Sequence, residues 1–556
     1  MIYQELSDER KRLQASGDLP EWFTTAGWQL FKQKYLYKAI GYKDTIERVA
    51  RTAAKHMPNS DYWSIKFFDI MWRGWLMPST PVLSNMGTPK GLPVSCSGQY
   101  IDDSVDGFYR GYHETAILTK HGFGTSGYLG GIRPRGSGIS SGGKASGVLP
   151  VARHFVQDMR DVAQGTSRRG AWAGYLPIDH GDFYELVDYL EHNPDDLNIG
   201  WNISDRFIER LEQGDRDACK RYARSLKVKA TTGKGYYFFP DKVNRANPLP
   251  LRCSASNLCT EITLPSDNEH TFTCVLSSLN LEKYDEWKDT DAVFTALVFL
   301  DCVASEFIHL ASNIRALDNA VRFTSKSRAL GLGTLGFHSY LQGKLIPFES
   351  LEAHLLNLEI FKDIRRQADE ASFWLGKYLG CPLWCDKLGR RNSHVLAIAP
   401  NTQSAILAGG TSQGIEPFVA NCFTQSTAAG EIDRVNKNFL KLAKERGKWT
   451  EHLGRELAEH DGSVQHLDWL TEHERLVFKT AYEIDQRAIL RLASTRQQHI
   501  DQAQSINLFF DADEDEAYIS QIHKEAFLDE NIKSLYYMRT KAGVKASKGE
   551  CIACEG

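Results

Sequence analysis

The sequence has no excess of charge of either sign. Its 66 Lys and Arg face 70 Asp and Glu, a net charge of -4 over 556 residues, which argues against a surface built to coat nucleic acid. No apolar run approaches the roughly 18 residues that cross a bilayer. Met1 to Arg12 is polar and lacks the apolar core of a signal peptide. No membrane association is therefore expected, and the expected location is cytoplasmic. Cysteine is present but not in a framework: 11 residues, an odd number, are scattered along the chain, unlike a secreted disulfide scaffold. The single C-x-x-C, Cys551 to Cys554, has no second cysteine or histidine pair near it. A four-ligand zinc site is thus disfavoured, no metal ligands are assigned, and redox chemistry in a reducing compartment is the better reading. A dinucleotide fingerprint is also missing. Gly122 to Gly127 and Gly331 to Gly336 both match G-x-G-x-x-G, but neither pattern sits between a strand and a helix with an acidic residue about 20 positions on.

What remains is an ordinary soluble composition, 42% hydrophobic and 24% charged. Residues 1 to about 75 read as aromatic-rich helices. Trp22, Phe23, Trp28, Phe31, Tyr35, Trp63, Phe67 and Trp72 recur at helical spacing and are assigned to the core, without chemistry. Met77 to Asn85, with Pro78 and Pro81, reads as a turn or extended loop rather than a helix. His121 to Gly147 is dense in glycine and reads as mobile loops whose amides and cations (Arg133, Arg135, Lys144) can meet phosphate. Gln164 to Ala171 reads as a second such loop. Pro150 to Gln164 and Asp291 to Ile314 read as helices. Strand-like and helical patterns alternate to about residue 425, which predicts an α/β architecture. Residues 431 to 500 read as charged helices, and Asp511 to Glu516 as solvated surface.

One stretch organises the rest. Ser256-Asn257-Leu258-Cys259-Thr260-Glu261 sets an amide, a thiol and a carboxylate at i, i+2 and i+4. On an extended segment all three would share one face. They offer a donor-acceptor amide, a thiol able to lose a proton or a hydrogen atom, and a base. Upstream, Cys96 follows Ser95 in Pro93-Val94-Ser95-Cys96-Ser97; taken alone, an inert buried cysteine is the commoner fate. Downstream come Cys274-Val275-Leu276-Ser277 and Pro400-Asn401-Thr402-Gln403-Ser404-Ala405. The latter follows an apolar run and reads as a phosphate site at a helix start, with a plain N-cap as the alternative. Tyr536 and Tyr537 are adjacent. Lys541 to Gly556 has too little apolar content to order itself, and the stretch from Lys541 to Cys554 spans at most about 45–50 Å. A dithiol on that tether can visit a distant site.

Together and in this order, these motifs resemble the large catalytic subunit of class I ribonucleotide reductase, over most of the chain from Pro78 onward. The resemblance implies an α/β fold: a ten-stranded α/β barrel of two antiparallel halves, each of five parallel strands, with a finger loop in the centre and a helical region before it. The corresponding division is 1–75 helical without an ATP-binding cone, 76–540 barrel with effector loops, and 541–556 redox tail. It implies reduction of ribonucleoside diphosphates to deoxyribonucleotides. Cys259 would be the thiyl-radical cysteine, Glu261 the base at the 3′-OH, and Asn257 the orienting amide. Cys96 and Cys274 would supply two electrons and end as a disulfide. Thr80 and Ser95 would line the ribose. Thr402, Gln403, Ser404 and Ala405 would hold the diphosphate. Tyr537 (outer) and Tyr536 (inner) would relay an oxidising equivalent, and Cys551 with Cys554 would re-reduce the disulfide. Asp103, Ser104, Arg133 and Arg169 would bind a dNTP or ATP effector, although Arg168 to Trp172 departs from the usual glycine-rich loop. Implied partners are a radical-generating small (beta) subunit that carries the metallocofactor, a second copy of this chain in a homodimer, and thioredoxin or glutaredoxin. The chain itself would bind no cofactor other than nucleotide effectors. Two alternatives stay open: a class II, adenosylcobalamin-dependent reductase, and a catalytically silent nucleotide-binding regulator.

Overall fold

The computed structural model describes residues 3–38, 41–162, 170–427 and 430–541. The first four helices, Tyr3–Ala15, Thr25–Lys34, Tyr42–Ala54 and Ser60–Trp72, bury Phe23, Trp28, Phe31, Tyr35 and Phe67, as the aromatic spacing predicts. Thr24 caps the second helix by accepting from Gly27 N, which satisfies one of its unpaired amides.

The strands follow in chain order: β1 (Leu76–Pro78), β2 (Cys96–Tyr100), β3 (Gly124–Tyr128), β4 (Trp172–Pro177), β5 (Asn198–Asn202), β6 (Tyr236–Phe238), β7 (Phe272–Asn280), β8 (Leu330–Leu335), β9 (Cys422–Thr427), β10 (Gly430–Val435), β11 (Leu508–Phe510), β12 (Ser534–Leu535) and β13 (Met538–Thr540). β2 through β6 form one run of five parallel strands. β7 and β8 begin a second parallel run, which single bridges continue from Leu332 to Leu396 and from Ile398 to Gln504. Tyr536 N donates to Ile506 O at 2.8 Å, and β11 pairs in parallel with β13. The second run thus also has five members: β7, β8, the stretch 395–398, the stretch 504–510, and 534–540. Two antiparallel seams, β2 with β7 and β6 with β12, close the ring. This is the ten-stranded α/β barrel expected, with β1 extending the β7 seam.

Helices pack outside, among them Val105–Lys120, Val148–Val162, Ala292–Ala311 and Leu351–Leu379. Ala292–Ala311 corrects one expectation, because by length and composition alone it is apolar enough to cross a bilayer. It is a core helix instead. Its faces are almost wholly buried, and its Asp301 is paired with Arg328 and Arg391 at 2.8 and 2.9 Å.

Three local readings are also corrected. Thr80–Asn85 is a helix, not a loop; Pro81 sits in its first turn, where the missing N–H costs nothing and the fixed φ helps. Gly124 to Gly127 lies in β3, not in a loop, and Gly331 to Leu335 lies in β8, so neither glycine motif forms a phosphate-binding turn. Part of the 431–500 stretch is strand β10. At Gly331 an added Cβ would stand 2.6 Å from Leu276 and 3.2 Å from Cys274 Sγ. The glycine leaves room for a thiol.

Candidate active site

Between β6 and β7, residues 252–266 cross the barrel interior with no regular element. A buried loop leaves backbone groups without water, so each needs a partner. The barrel wall supplies them. Tyr175 Oη donates to Asn257 O at 2.5 Å, Ser505 Oγ to Cys259 O at 2.6 Å, Ser534 Oγ to Thr260 O at 2.9 Å, and Ala503 N to Glu261 O at 2.9 Å. Thr260 has φ +69°, a costly conformation for a β-branched residue, and the loop turns there. This corrects the extended-strand reading: a turn, not period-two alternation, brings Asn257, Cys259 and Glu261 together.

Asn257 Nδ2 donates to Glu261 Oε1 at 2.9 Å and approaches Cys96 Sγ at 3.4 Å. Ile262 N donates to Asn257 Oδ1 at 3.2 Å, which fixes the amide's orientation. Cys96 stands directly opposite Cys274 across the β2–β7 seam, and both are buried. Opposed antiparallel residues have Cα atoms about 4.5–5.5 Å apart, within the range a disulfide bridges. Burial first, then Cys96 and Glu261 nearby, hold the Cys274 thiol well above its ordinary pKa. It is therefore a thiol at neutral pH, carrying the proton that a two-electron donor must give up.

Tyr536 Oη lies 3.5 Å from Cys259 Sγ. The Tyr536 and Tyr537 rings have centroids 4.1 Å apart and are inclined at 48°, tilted rather than stacked. Neighbours in a continuous strand point to opposite faces. These two meet because the strand breaks between β12 and β13. Three residues that the sequence did not single out complete this side. Tyr236 Oη lies 3.3 Å from Tyr537 Oη, and its ring centroid is 4.9 Å from that of Tyr536. Lys229, fully buried and lowered to about 7 by desolvation, donates to Gly235 O at 3.0 Å and to Tyr536 O. Asn507 Oδ1 accepts from Tyr537 N at 2.9 Å. Polar Gln502, Gln504, Ser505 and Asn507 ahead of the apolar Leu508 to Phe510 were a readable signal for this wall strand.

Of the substrate-lining candidates, Thr80 and Gln403 meet on one side chain. Tyr35 Oη is 3.0 Å from Thr80 Oγ1 and 3.2 Å from Gln403 Oε1, so this core aromatic ties the two together. Thr402 opens a short helix behind Asn401, whose φ is +59°, and Thr402 Oγ1 donates to Gln413 Oε1 at 3.3 Å. Ser95, Gln403, Ser404 and Ala405 are buried. Two of the effector candidates are paired directly. Arg133 Nε donates to Asp103 Oδ2 at 2.6 Å, and Ser104 caps Val105–Lys120 by accepting from Gly107 N at 3.0 Å. Arg169, Cys551 and Cys554 lie outside the described residues. Among the described residues, no group of three His, Cys, Asp or Glu is arranged to hold a metal ion.

Two family models match the chain. One, described as the ribonucleotide reductase all-alpha domain, spans residues 21–91. The other, the ribonucleotide reductase barrel domain, spans 94–221, 218–383 and 384–538. The ribonucleoside-diphosphate reductase large subunit of Invertebrate iridescent virus 3 is 32% identical, covering 96% of this chain and 98% of the relative. A protein of Frog virus 3, named as a putative subunit of the same kind, is 35% identical over 88% of this chain and 92% of its own length. Among solved structures, the Actinobacillus ureae class Id ribonucleotide reductase alpha subunit superposes with a TM-score of 0.86 at 36% identity, covering 95% of this chain and 99% of that one.

Proposed function

Since this chain belongs to the ribonucleotide reductase large-subunit family, an oxidoreductase, we propose that it reduces ribonucleoside diphosphates with a thiyl radical on Cys259, generated by a separate small subunit. The observation that carries this reading is the unbroken line Tyr537–Tyr536–Cys259, with Asn257 and Glu261 on one side and the Cys96–Cys274 pair beside them.

An oxidising equivalent delivered by the small subunit, whose metallocofactor would supply it, enters at Tyr537, passes to Tyr536, and removes the hydrogen from Cys259 Sγ. The Cys259 radical takes the 3′ hydrogen of the ribose. Glu261 accepts the 3′-OH proton as charge develops there, while Asn257 holds the hydroxyls. Cys96 gives its proton to the departing 2′-OH, which leaves as water. Cys274 then gives its hydrogen to C2′, and Cys96 and Cys274 close to a disulfide as the second electron reduces the 3′ carbon and Glu261 returns its proton to the 3′ oxygen. Cys259 returns its hydrogen to C3′. The Cys551–Cys554 pair exchanges with the new disulfide and is itself reduced by a thioredoxin- or glutaredoxin-type protein. Thr80 and Ser95 face the ribose, and Thr402 to Ala405 take the diphosphate. Asp103, Ser104, Arg133 and Arg169 receive a nucleotide effector where two copies of the chain meet.

The test is CDP reduction by the full chain with dithiothreitol and an effector. Activity that requires a radical-bearing small subunit is the expected result. Turnover with adenosylcobalamin and no second protein would instead make this a class II enzyme, and Tyr536 and Tyr537 would be packing residues.

A further inference from the structure

Ser505 stands in the wall strand beside the Asn257–Glu261 turn, and nothing in the reaction above uses it. It is 2% exposed, and its backbone is fixed by Ser505 N donating to Ile398 O at 2.9 Å. Its Oγ lies 2.6 Å from Cys259 O and 3.1 Å from Glu261 Oε2. A serine hydroxyl has one hydrogen and two lone pairs, so it cannot donate fully to both acceptors. The shorter contact takes the hydrogen, and a lone pair is left facing Glu261 Oε2. On the other carboxyl oxygen, Asn257 Nδ2 donates at 2.9 Å, and Asn257 cannot turn over because its Oδ1 is held by Ile262 N. Oε1 is thereby kept as an acceptor, and Oε2 is the oxygen on which a proton finds a partner.

We propose that Ser505 is a positioning residue that holds the proton Glu261 takes from substrate, accepting a hydrogen bond from the protonated Oε2 while its own hydrogen stays on Cys259 O. The inference rests on Glu261 acting as the base. In this step the substrate O–H bond breaks and an O–H bond forms on Glu261, with no change in electron count. A lone pair disfavours the carboxylate and favours the acid, moving the base toward the working pH, where a general base is most effective. One hydroxyl also sets the backbone of the radical cysteine and the proton affinity of the base together.

Among the described residues, the titratable groups around Glu261 include Cys274 from β7, Tyr175 from β4 and Cys259 on the same turn, with Cys96 from β2 across the Asn257 amide. Burial holds Cys274 and Tyr175 protonated, so neither titrates in the acid range. The experiment is an infrared titration of the substrate-free full chain. It follows the protonated-carboxyl band that disappears in Glu261→Gln. Ser505→Ala is expected to lower the midpoint by about one pH unit, a tenfold loss of proton affinity, and to extend the acid limb of kcat/KM downward equally. Ser505→Thr, which keeps the hydroxyl, should retain the native midpoint. If Ser505→Ala does not fold, Ser505→Cys is titrated instead, with a shift in the same direction. An unchanged midpoint overturns the proposal, and so does a raised one, which would mean that Ser505 donates to the carboxylate. Should Glu261→Gln keep its turnover, the base reading fails while the infrared shift stands, so the two failures are told apart.

Discussion

The barrel interior and the proposed effector face use the same kinds of polar side chain in opposite ways. Inside, the groups from Cys96 to Tyr537 are buried, held by the wall, and committed to one arrangement. At the effector face, Arg133 and Asp103 retain 40% and 24% of their side-chain exposure and bond to each other, while Ser104 serves as a helix cap. An exposed ion pair contributes roughly 0–1 kcal/mol, so a nucleotide can displace it at little cost. A buried hydrogen-bonded group left without its partner costs about 1–3 kcal/mol. Rigid geometry suits radical chemistry, and exchangeable pairing suits a regulator.

The sharpest way to break this contrast is Cys259→Ser. Turnover should fall by at least about 1,000-fold with effector affinity unchanged, measured by CDP reduction and by equilibrium nucleotide binding. Persistent turnover would remove the interior from the chemistry. Next, Tyr536→Phe keeps the ring but loses the O–H near Cys259. A loss of roughly 100-fold or more is expected in the two-subunit assay, and a loss under threefold would reduce the tyrosine to packing. At the effector face, Arg133→Ala should raise the effector concentration for half-activation by about tenfold, the worth of one charge-assisted hydrogen bond. The maximal rate should change far less than in either interior variant.

The smallest expected effect is a pH signature of the interior. Burial lowers His338 and His523 to about 3 and His394 to about 4, whereas in the unfolded chain each titrates near 6.5. Below about pH 6.5 the unfolded state therefore binds protons that the folded state refuses, and stability falls as pH falls toward 4. Each histidine contributes up to about 1.4 kcal/mol per pH unit to that slope. Thermal unfolding between pH 7 and 4.5 measures it, and His523→Phe should flatten it.

The residues proposed to carry chemistry were readable one by one. Asn257, Cys259 and Glu261 are close in sequence, so even the wrong local geometry, a strand instead of a turn, still grouped them. The N-terminal aromatics were readable as core because helical spacing alone reports burial. Tyr35 obeys that spacing and is buried, but local pattern could not report that its hydroxyl meets Thr80 and Gln403, the latter hundreds of residues away. Gly124 to Gly127 was misread as loop because glycine in a strand, as at Gly127 against Ile101 and Trp172, marks close approach of another part of the chain, which local pattern does not report.

By itself the sequence determined the inventory: two thiols flanking a third, an amide and a carboxylate within one turn, an adjacent tyrosine pair and a helical preface. These follow from residue identity and short spacings. Only the tertiary structure decided that Cys96 faces Cys274, that Tyr236 joins Tyr536 and Tyr537, and that Ser505 lies between Cys259 and Glu261. Those meetings depend on the two antiparallel seams that close the barrel. Ring closure brings together strands far apart in sequence, and no local propensity encodes which side chains it will make neighbours.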